Sequence, residues 1–182
     1  MSVIKNKKEL LKENKERADI LNIIEAGYEA ISIEKIIKEK VSFSKGVLKI
    51  KNQKGKVNEI NLKNKKAIYV FGIGKGSYSA TSYIVDVLKS KNVSSAISLD
   101  VDTSPKPKKP NKLVEVFYCT HPKPSLKNIS ATNKIIEKLN NLNKDDFVIY
   151  FIGGGGSALL CSSLNEYRNN SKIFSELTKK GA

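Results

Sequence analysis

Hydrophobic and polar positions along the first third of the chain follow two different periods. Over residues 9–31 the apolar side chains recur at helical spacing, which predicts one amphipathic helix with a single face docked on a core. A shorter helix is expected over residues 33–40. The stretch 41–62 then alternates between apolar and polar positions and carries two glycines where turns would fall, which predicts a small antiparallel excursion.

Short apolar runs alternate with helical stripes in the remainder of the chain. Strands are predicted at four apolar runs, 67–72, 96–99, 114–119 and 147–152, and helices at two stripes, 78–88 and 128–142. Because such runs are nearly continuous, we expect strands that are buried on both faces of a parallel sheet. The predicted fold class is α/β, with a Rossmann-like, mostly parallel sheet flanked by helices, in one domain over residues 1–182.

Composition supports a globular protein and excludes two other classes. Forty per cent of the 182 residues are apolar, which is enough for a core and argues against a disordered chain. No run of about 20 apolar residues could span a membrane, and the polar N-terminus does not resemble a secretory signal. We therefore expect a cytoplasmic protein in which Cys119 and Cys161 are reduced, buried and outside any metal-ligand spacing.

The formal charge of +15 comes almost entirely from lysines that are spread along the whole chain. Nucleic-acid-binding stripes usually contain arginine and interleaved aromatic residues, whereas Arg17 and Arg168 are the only two arginines here. The composition favours a solvated basic surface with a general attraction for anions. Nucleic acid is therefore not an expected partner, and no membrane association is expected.

Three unusual loops each follow a predicted strand. They read GIGKGS at 72–77, THPKPS at 120–125 and GGGGSALL at 153–160. In open parallel α/β sheets, ligands collect where the carboxyl ends of the strands turn into helices. If the sheet is parallel, the three loops meet along one rim, and this rim is the candidate site.

The first loop combines Gly74, Lys75 and Gly76 at the predicted start of a helix. Glycines allow the backbone to approach an anion closely, and a helix N-terminus adds unpaired amides. The loop matches neither the dinucleotide fingerprint nor the P-loop spacing. Lys75 is a candidate anion-binding or catalytic cation, and the alternative is a solvated lysine in a tight turn.

The second loop contains the single histidine of the chain. Pro122 and Pro124 stiffen the segment and would hold His121 in a defined position at a strand end. His121 and Pro122 are therefore candidate binding residues, with His121 also able to handle a proton. The alternative is a purely structural histidine.

The third loop removes every side chain that could block a ligand. Gly154, Gly155 and Gly156 would offer backbone amides, and Ser157 adds a hydroxyl at the start of a helix. Close packing of helix on strand is the alternative reason for these glycines. No glycine follows at position 159, so Ser157 is not the nucleophile of a G-x-S-x-G elbow. The loop predicts a site for a small anion, a carboxylate or a phosphate.

These motifs, in this order and spacing, resemble the glycerate 2-kinase family, whose second domain is the MOFRL domain. Family members carry a Gly-Lys-Ala turn, a His-Pro-x-Pro-Asp loop and a Ser-Gly-Gly-Gly-Ser-Ala-Leu loop. The resemblance implies phosphorylation of D-glycerate at its 2-hydroxyl to 2-phosphoglycerate, with ATP and Mg²⁺ as cofactors. It assigns the motif lysine to Lys75, the His-Pro pair to His121 and Pro122, and the glycine loop to Gly154–Ser157.

The chain departs from the family pattern at three motif positions and at its end. Gly76 replaces an alanine, Ser125 an aspartate and Gly153 a serine. The family continues beyond residue 182 with an Asn-x-x-Arg-Lys segment and the whole second domain. The resemblance therefore implies a truncated N-terminal domain that is inactive or weak alone, with the missing C-terminal half as a partner chain.

Two other functions compete with this interpretation. Glycine loops at strand ends also occur in non-catalytic modules that bind phosphates or nucleotides on a Rossmann-like sheet. A basic nucleic-acid-binding protein is motivated by the charge alone and ranks last; it would show steeply salt-dependent binding to duplex or single strands.

Overall fold

The structure is a computed structural model that describes residues 4–104, 106–107 and 109–181, without the side chain of residue 15. These residues form seven strands, namely β1 Val41–Ser44, β2 Val47–Lys51, β3 Val57–Asn61, β4 Ile68–Ile73, β5 Ser95–Val101, β6 Val114–Cys119 and β7 Phe147–Ile152. Seven α-helices accompany them, namely α1 Lys7–Glu13, α2 Ala18–Ala30, α3 Ile33–Lys40, α4 Ser77–Leu88, α5 Leu126–Asn140, α6 Gly156–Leu159 and α7 Leu164–Lys179. Short 3-10 turns cover Lys15–Arg17 and Ser90–Asn92.

The main sheet has four strands in the order β6-β5-β4-β7, and every neighbouring pair is parallel. The chain therefore builds from β4 to β6 in one direction and then returns to place β7 on the other side of β4. Such a reversal of strand order opens a crevice at the carboxyl ends of the two strands that flank it. Here those strands are β4 and β7.

Alternate side chains of β4 divide the core into two layers, as the two-residue period of a strand requires. Val70 joins a layer with α4 and α3, whereas Phe71 and Ile73 join a layer with α5. Val70 and Phe71 are fully buried, so this strand lies between helices on both faces. The predicted α/β class, a parallel sheet flanked by helices, is confirmed.

The antiparallel excursion is confirmed as a separate sheet of order β1-β2-β3. Leu48 in β2 and Leu62, directly after β3, are buried in the same core layer as α4. The small sheet therefore packs on the main body of the domain. Gly46 turns the chain between β1 and β2 at a φ of +76°, where a Cβ would lie 2.5 Å from Lys63 Cγ. Glycine is required there by conformation and by space.

The predicted single helix over 9–31 is wrong, because the chain breaks it after Glu13. Asn14 takes an extended conformation (φ −154°, ψ 115°) and its side-chain Oδ1 accepts a hydrogen bond of 2.8 Å from the amide of Glu16. Asparagine side chains compete in this way for backbone amides that a helix would use. A 3-10 turn and the separate helix α2 follow.

The prediction of burial on both faces is wrong for the apolar run 147–152, which forms β7. β7 is an edge strand in the described part of the chain, and its residues are only half-buried or exposed. Tyr150 and Ile152 keep 47% and 65% of their surface accessible. An apolar strand at an edge indicates a surface suited to further contacts.

Both cysteines are buried and free, as predicted. Burial raises the pKa of the Cys119 thiol to about 11 and raises that of Cys161. Among the described helices, none combines the length and the apolar character that crossing a membrane would need.

Candidate functional site

The loops after β4 and β7 meet at the point where the strand order reverses. The Gly153 amide donates a 2.7 Å hydrogen bond to the carbonyl of Ile73, and the Lys75 amide donates a 2.9 Å bond to the carbonyl of Gly154. The two glycine-rich loops therefore form one continuous surface at the carboxyl rim of the sheet. This is the location at which open α/β sheets bind ligands.

Gly74 and Gly153 make this contact possible. A Cβ on Gly74 would lie 2.5 Å from the Gly153 carbonyl oxygen, and Gly74 has a φ of +114°. Gly76 has a φ of +77°, and a Cβ there would lie 2.6 Å from the Cδ1 atom of Ile33 in α3. The packing of loops and helices thus accounts for these three glycines without a ligand.

His121 reaches the same surface from the loop after β6. A Cβ on Gly155, whose φ is +76°, would lie 2.5 Å from His121 Nε2, so the imidazole sits directly against the glycine loop. Pro122, joined to His121 by a cis peptide bond, is exposed. The structure therefore brings all three predicted loops together.

The electrostatic environment of His121 favours its neutral form. Burial lowers the pKa of the imidazole first, and the positive charge of Lys75 lowers it further. Lys75 itself is exposed at the rim. A neutral imidazole beside an exposed ammonium can accept a proton or a hydrogen bond while the lysine attracts an anion.

Four consecutive amides of the third loop remain available. Within the described residues, no protein group accepts a hydrogen bond from the amides of Gly154, Gly155, Gly156 or Ser157. Gly154 and Ser157 are exposed, and a Cβ on Gly154 would meet no atom within 4 Å. Successive free amides in a turn form a concavity that suits an anion. Gly154 is the glycine of this loop that packing least explains.

The N-terminus of α4, in contrast, already holds a carboxylate that sequence reasoning missed. Asp100, at the end of β5, is fully buried and accepts hydrogen bonds from the amides of Gly76 (3.1 Å) and Tyr78 (2.9 Å). Ser104 Oγ also accepts from the Gly76 amide at 3.0 Å. A ligand at the first loop would therefore meet Lys75 rather than these amides. The available signal was an acidic residue next to the end of a mostly apolar strand.

Asn128 is a second missed residue, and it fixes the histidine loop. Its side-chain oxygen accepts hydrogen bonds from the amides of Thr120 (3.2 Å) and Ser125 (2.9 Å), on either side of His121. Its side-chain nitrogen donates 2.9 Å to the carbonyl of Leu159, which ends α6. One buried side chain thus ties the second loop to the third. Its position three residues after Ser125 is the capping-box spacing that could have indicated it.

The residues present fit phosphate groups better than a directly bound metal ion. The free amides and Lys75 supply donors and positive charge, which phosphate oxygens require. No group of three or more His, Cys, Asp or Glu side chains in the described part of the chain is placed to hold a metal. Both Asp100 oxygens are occupied by backbone amides. Mg²⁺ is accordingly assigned no ligand among the residues that the structure describes.

Comparison with known proteins places this geometry in a family. Residues 19–182 match the model of a domain of unknown function, DUF4147. A stretch of 70 residues is 33% identical to D-glycerate 2-kinase of Thermotoga maritima and covers 37% of this chain and 17% of that protein. Another of 49 residues is 41% identical to a provisionally named hydroxypyruvate reductase of Agrobacterium vitis, covering 27% and 11%.

The fold comparison agrees with the sequence comparison. The crystal structure of glycerate kinase from Thermotoga maritima superposes with a TM-score of 0.64 at 22% identity, over 88% of this chain and 34% of that chain. The chain thus matches about a third of a solved relative. The resemblance predicted from the three motifs is confirmed, and the chain belongs to the DUF4147 family.

Proposed function

We propose that this chain forms the phosphate-binding part of a glycerate 2-kinase. The reaction is the ATP-dependent phosphorylation of D-glycerate to 2-phosphoglycerate, to which these residues contribute one part and the remaining length of the solved relative corresponds to the rest. The observation that carries the proposal is the row of free amides at Gly154–Ser157 beside Lys75 and His121. Phosphoryl transfer depends mainly on positioning and positive electrostatics, and these groups supply both.

Each group has a role that follows from its chemistry. The amides of Gly154–Ser157 bind oxygens of a phosphate or of the glycerate carboxylate, and Lys75 offsets negative charge that develops during transfer. His121 is neutral near pH 7 and takes the proton of the 2-hydroxyl. That oxygen bonds to the terminal phosphorus of ATP while the bond from this phosphorus to the oxygen of departing ADP breaks. The Mg²⁺ of the nucleotide supplies further charge neutralisation when it is bound.

A coupled ADP-release assay with ATP, Mg²⁺ and D-glycerate tests the proposal. We expect little turnover from the chain alone and clear turnover when the C-terminal polypeptide of a family member is added. Lys75→Ala should then lower kcat by roughly 100-fold, the magnitude found when one electrostatic group is removed from such sites. Lys123→Ala, a change of equal charge in the neighbouring loop, is the control and should leave kcat nearly unchanged. Equal losses of kcat in the two variants would show that Lys75 has no specific role in the reaction.

A non-catalytic module that binds phosphates or nucleotides is the second candidate, because the free amides would serve it equally well. It predicts shifts of the NMR signals of Gly153–Ser157 on addition of inorganic phosphate or ATP, without turnover in any mixture. The absence of both shifts and turnover would contradict both candidates.

A further inference from the structure

A second concave site lies at the opposite end of the main sheet, beside the first residues of β4 and β5. It is a cavity of about 560 Å³. Pockets of this size commonly hold small ligands. Fourteen residues line it, namely Phe43, Ser44, Lys45, Gly46, Leu62, Lys63, Lys65, Lys66, Ala67, Ile68, Lys89, Lys91, Asn92 and Ser94. This basal cavity is separate from the carboxyl rim, where the candidate kinase site lies.

Lysine is concentrated in the basal cavity well beyond the average of the chain. Six of its fourteen lining residues are lysines, whereas the whole chain has 31 lysines in 182 residues. No carboxylate is among the described residues that line it. Of the six lysines, only Lys66 forms an ion pair within the described part of the chain. Its ammonium lies 3.6 Å from an oxygen of Asp145. The cavity therefore gathers positive charge with little internal compensation.

Three separate segments bring these lysines together. Lys45 comes from the β1–β2 turn, Lys63 from the connection between β3 and β4, and Lys89 and Lys91 from the turn after α4. Lys45 and Lys89 have φ values of 50° and 64°, and they are the non-glycine residues of the described chain with positive φ. Like charges repel, so their convergence on one cavity raises the free energy of the empty site. A bound anion of high charge would remove that cost.

The lining favours a compact polyanion over a single small anion. Six lysines line one cavity, and their combined charge can neutralise four or more negative charges, which a single carboxylate or monophosphate does not carry. The polar side chains of Ser44, Asn92 and Ser94 add neutral hydrogen-bonding groups. Among the described residues that line the cavity there is no arginine and Phe43 is the single aromatic residue, so they do not form the stacking platform of a single-stranded nucleic-acid site.

We propose that the basal cavity binds a small polyphosphate, a ligand with three or more linked phosphate groups. This site is independent of the proposed kinase activity, because none of its residues contributes to the carboxyl rim. It would let a polyphosphorylated molecule occupy the domain while the candidate active site stays free.

Inorganic tripolyphosphate is the probe, with calorimetry for affinity and amide NMR for location. We expect saturable shifts at Gly46 and Ser94, and no saturable shift at Gly154–Ser157 with the same affinity. The variant Lys63→Gln/Lys65→Gln/Lys91→Gln should raise the Kd about tenfold or more, since each surface lysine contributes a few-fold. The control Lys8→Gln/Lys12→Gln/Lys172→Gln removes the same charge from exposed helix positions and should change Kd less than threefold.

Several outcomes would overturn the proposal. Equal weakening by the two triple variants would mean that net charge alone attracts the ligand. Shifts confined to the carboxyl rim would place the ligand there instead. A single-stranded oligonucleotide that binds more tightly than tripolyphosphate at equal salt would assign the surface to nucleic acid. Should the cavity variant fail to fold, the shift map of the unmodified chain still decides between these locations.

Discussion

Lys75 and His121 influence each other through their charges, which makes the single histidine a reporter on the candidate site. Burial and the Lys75 ammonium both lower the pKa of His121 from its usual 6.5. We expect Lys75→Ala to raise this pKa, because the repulsion on the imidazolium is removed. The measurement is an NMR pH titration of the His121 ring protons. Lys123→Ala is the matched control, since the charge of Lys123 is not among the causes of the shift.

The same reporter responds to ligands and to stability. A phosphate bound at the free amides should raise the His121 pKa, because a negative charge favours the imidazolium. Because the pKa of His121 is lowered in the folded chain, protonation of His121 is less favourable there than in the unfolded chain. The contribution of neutral His121 to the free energy of unfolding is therefore present above pH 6.5 and is lost as the pH falls through the pKa of His121 in the folded chain. If neither the loss of the Lys75 charge nor the addition of phosphate changed the His121 pKa, His121 would not sense either charge, which would contradict this prediction.

Gly154 and Gly155 are neighbours with different requirements, which gives a stability test. Gly155→Ala would place a Cβ 2.5 Å from His121 Nε2 at a φ of +76°, and we expect a loss of about 1–3 kcal/mol in the free energy of unfolding. Gly154→Ala has open space around its Cβ and should cost less than about 1 kcal/mol. Urea unfolding measures both, and equal losses would contradict the described loop conformation.

The start of α4 depends on a residue from another element, the buried Asp100 of β5. We expect Asp100→Asn to lower the free energy of unfolding by about 2 kcal/mol or more, because an amide nitrogen would face the amides of Gly76 or Tyr78. The control is Asp102→Asn, two residues along, whose side chain is 81% exposed and pairs with Lys106 at 3.8 Å. Thermal and urea unfolding compare the two, and similar losses would mean that Asp100 does not stabilise α4.

Local sequence patterns predicted most helices and strands, whereas the residues that they did not identify act through contacts with residues far away in the sequence. The strand over 114–119 and the strand over 147–152 follow from apolar runs bounded by turn residues, and the structure has both with those bounds. Asp100 bonds to an amide 24 residues away, and Asn128 to a carbonyl 31 residues away, so neither role is visible in a local window. The break in the predicted first helix is local, but it depends on the hydrogen bond that the Asn14 side chain accepts from the amide of Glu16.

The candidate site shows the same division at the scale of loops. Glycines and the lone histidine marked three loops that the structure brings together, because parallel strands put their carboxyl ends on one rim. The sequence did not separate glycines needed for packing from the one that leaves open space. That distinction rests on distances across the β4–β7 boundary, such as Gly74 against Gly153. The reversal of strand order that creates this boundary is a property of the whole sheet.

For the molecule as a whole, β7 is an exposed apolar edge of the main sheet within the described part of the chain. Tyr150 and Ile152 lie on one face of that strand and are 47% and 65% exposed, beside an apolar cavity of about 370 Å³ between β7, α5 and the start of α7. Exposed apolar edge strands pair with other chains, and charge on such an edge prevents the pairing.

We therefore expect the chain to self-associate as its concentration rises, and Ile152→Lys to shift it toward monomer in sedimentation velocity. Ile23→Lys on α2 is the control, because Ile23 is 71% exposed and the charge change is equal.

If β7 is also the docking edge for the C-terminal half, Ile152→Lys should abolish turnover in the mixture while Ile23→Lys preserves it. Loss of self-association without loss of turnover would assign the β7 edge to copies of this chain alone. Equal behaviour of the two variants would show that general charge, rather than the strand edge, controls association.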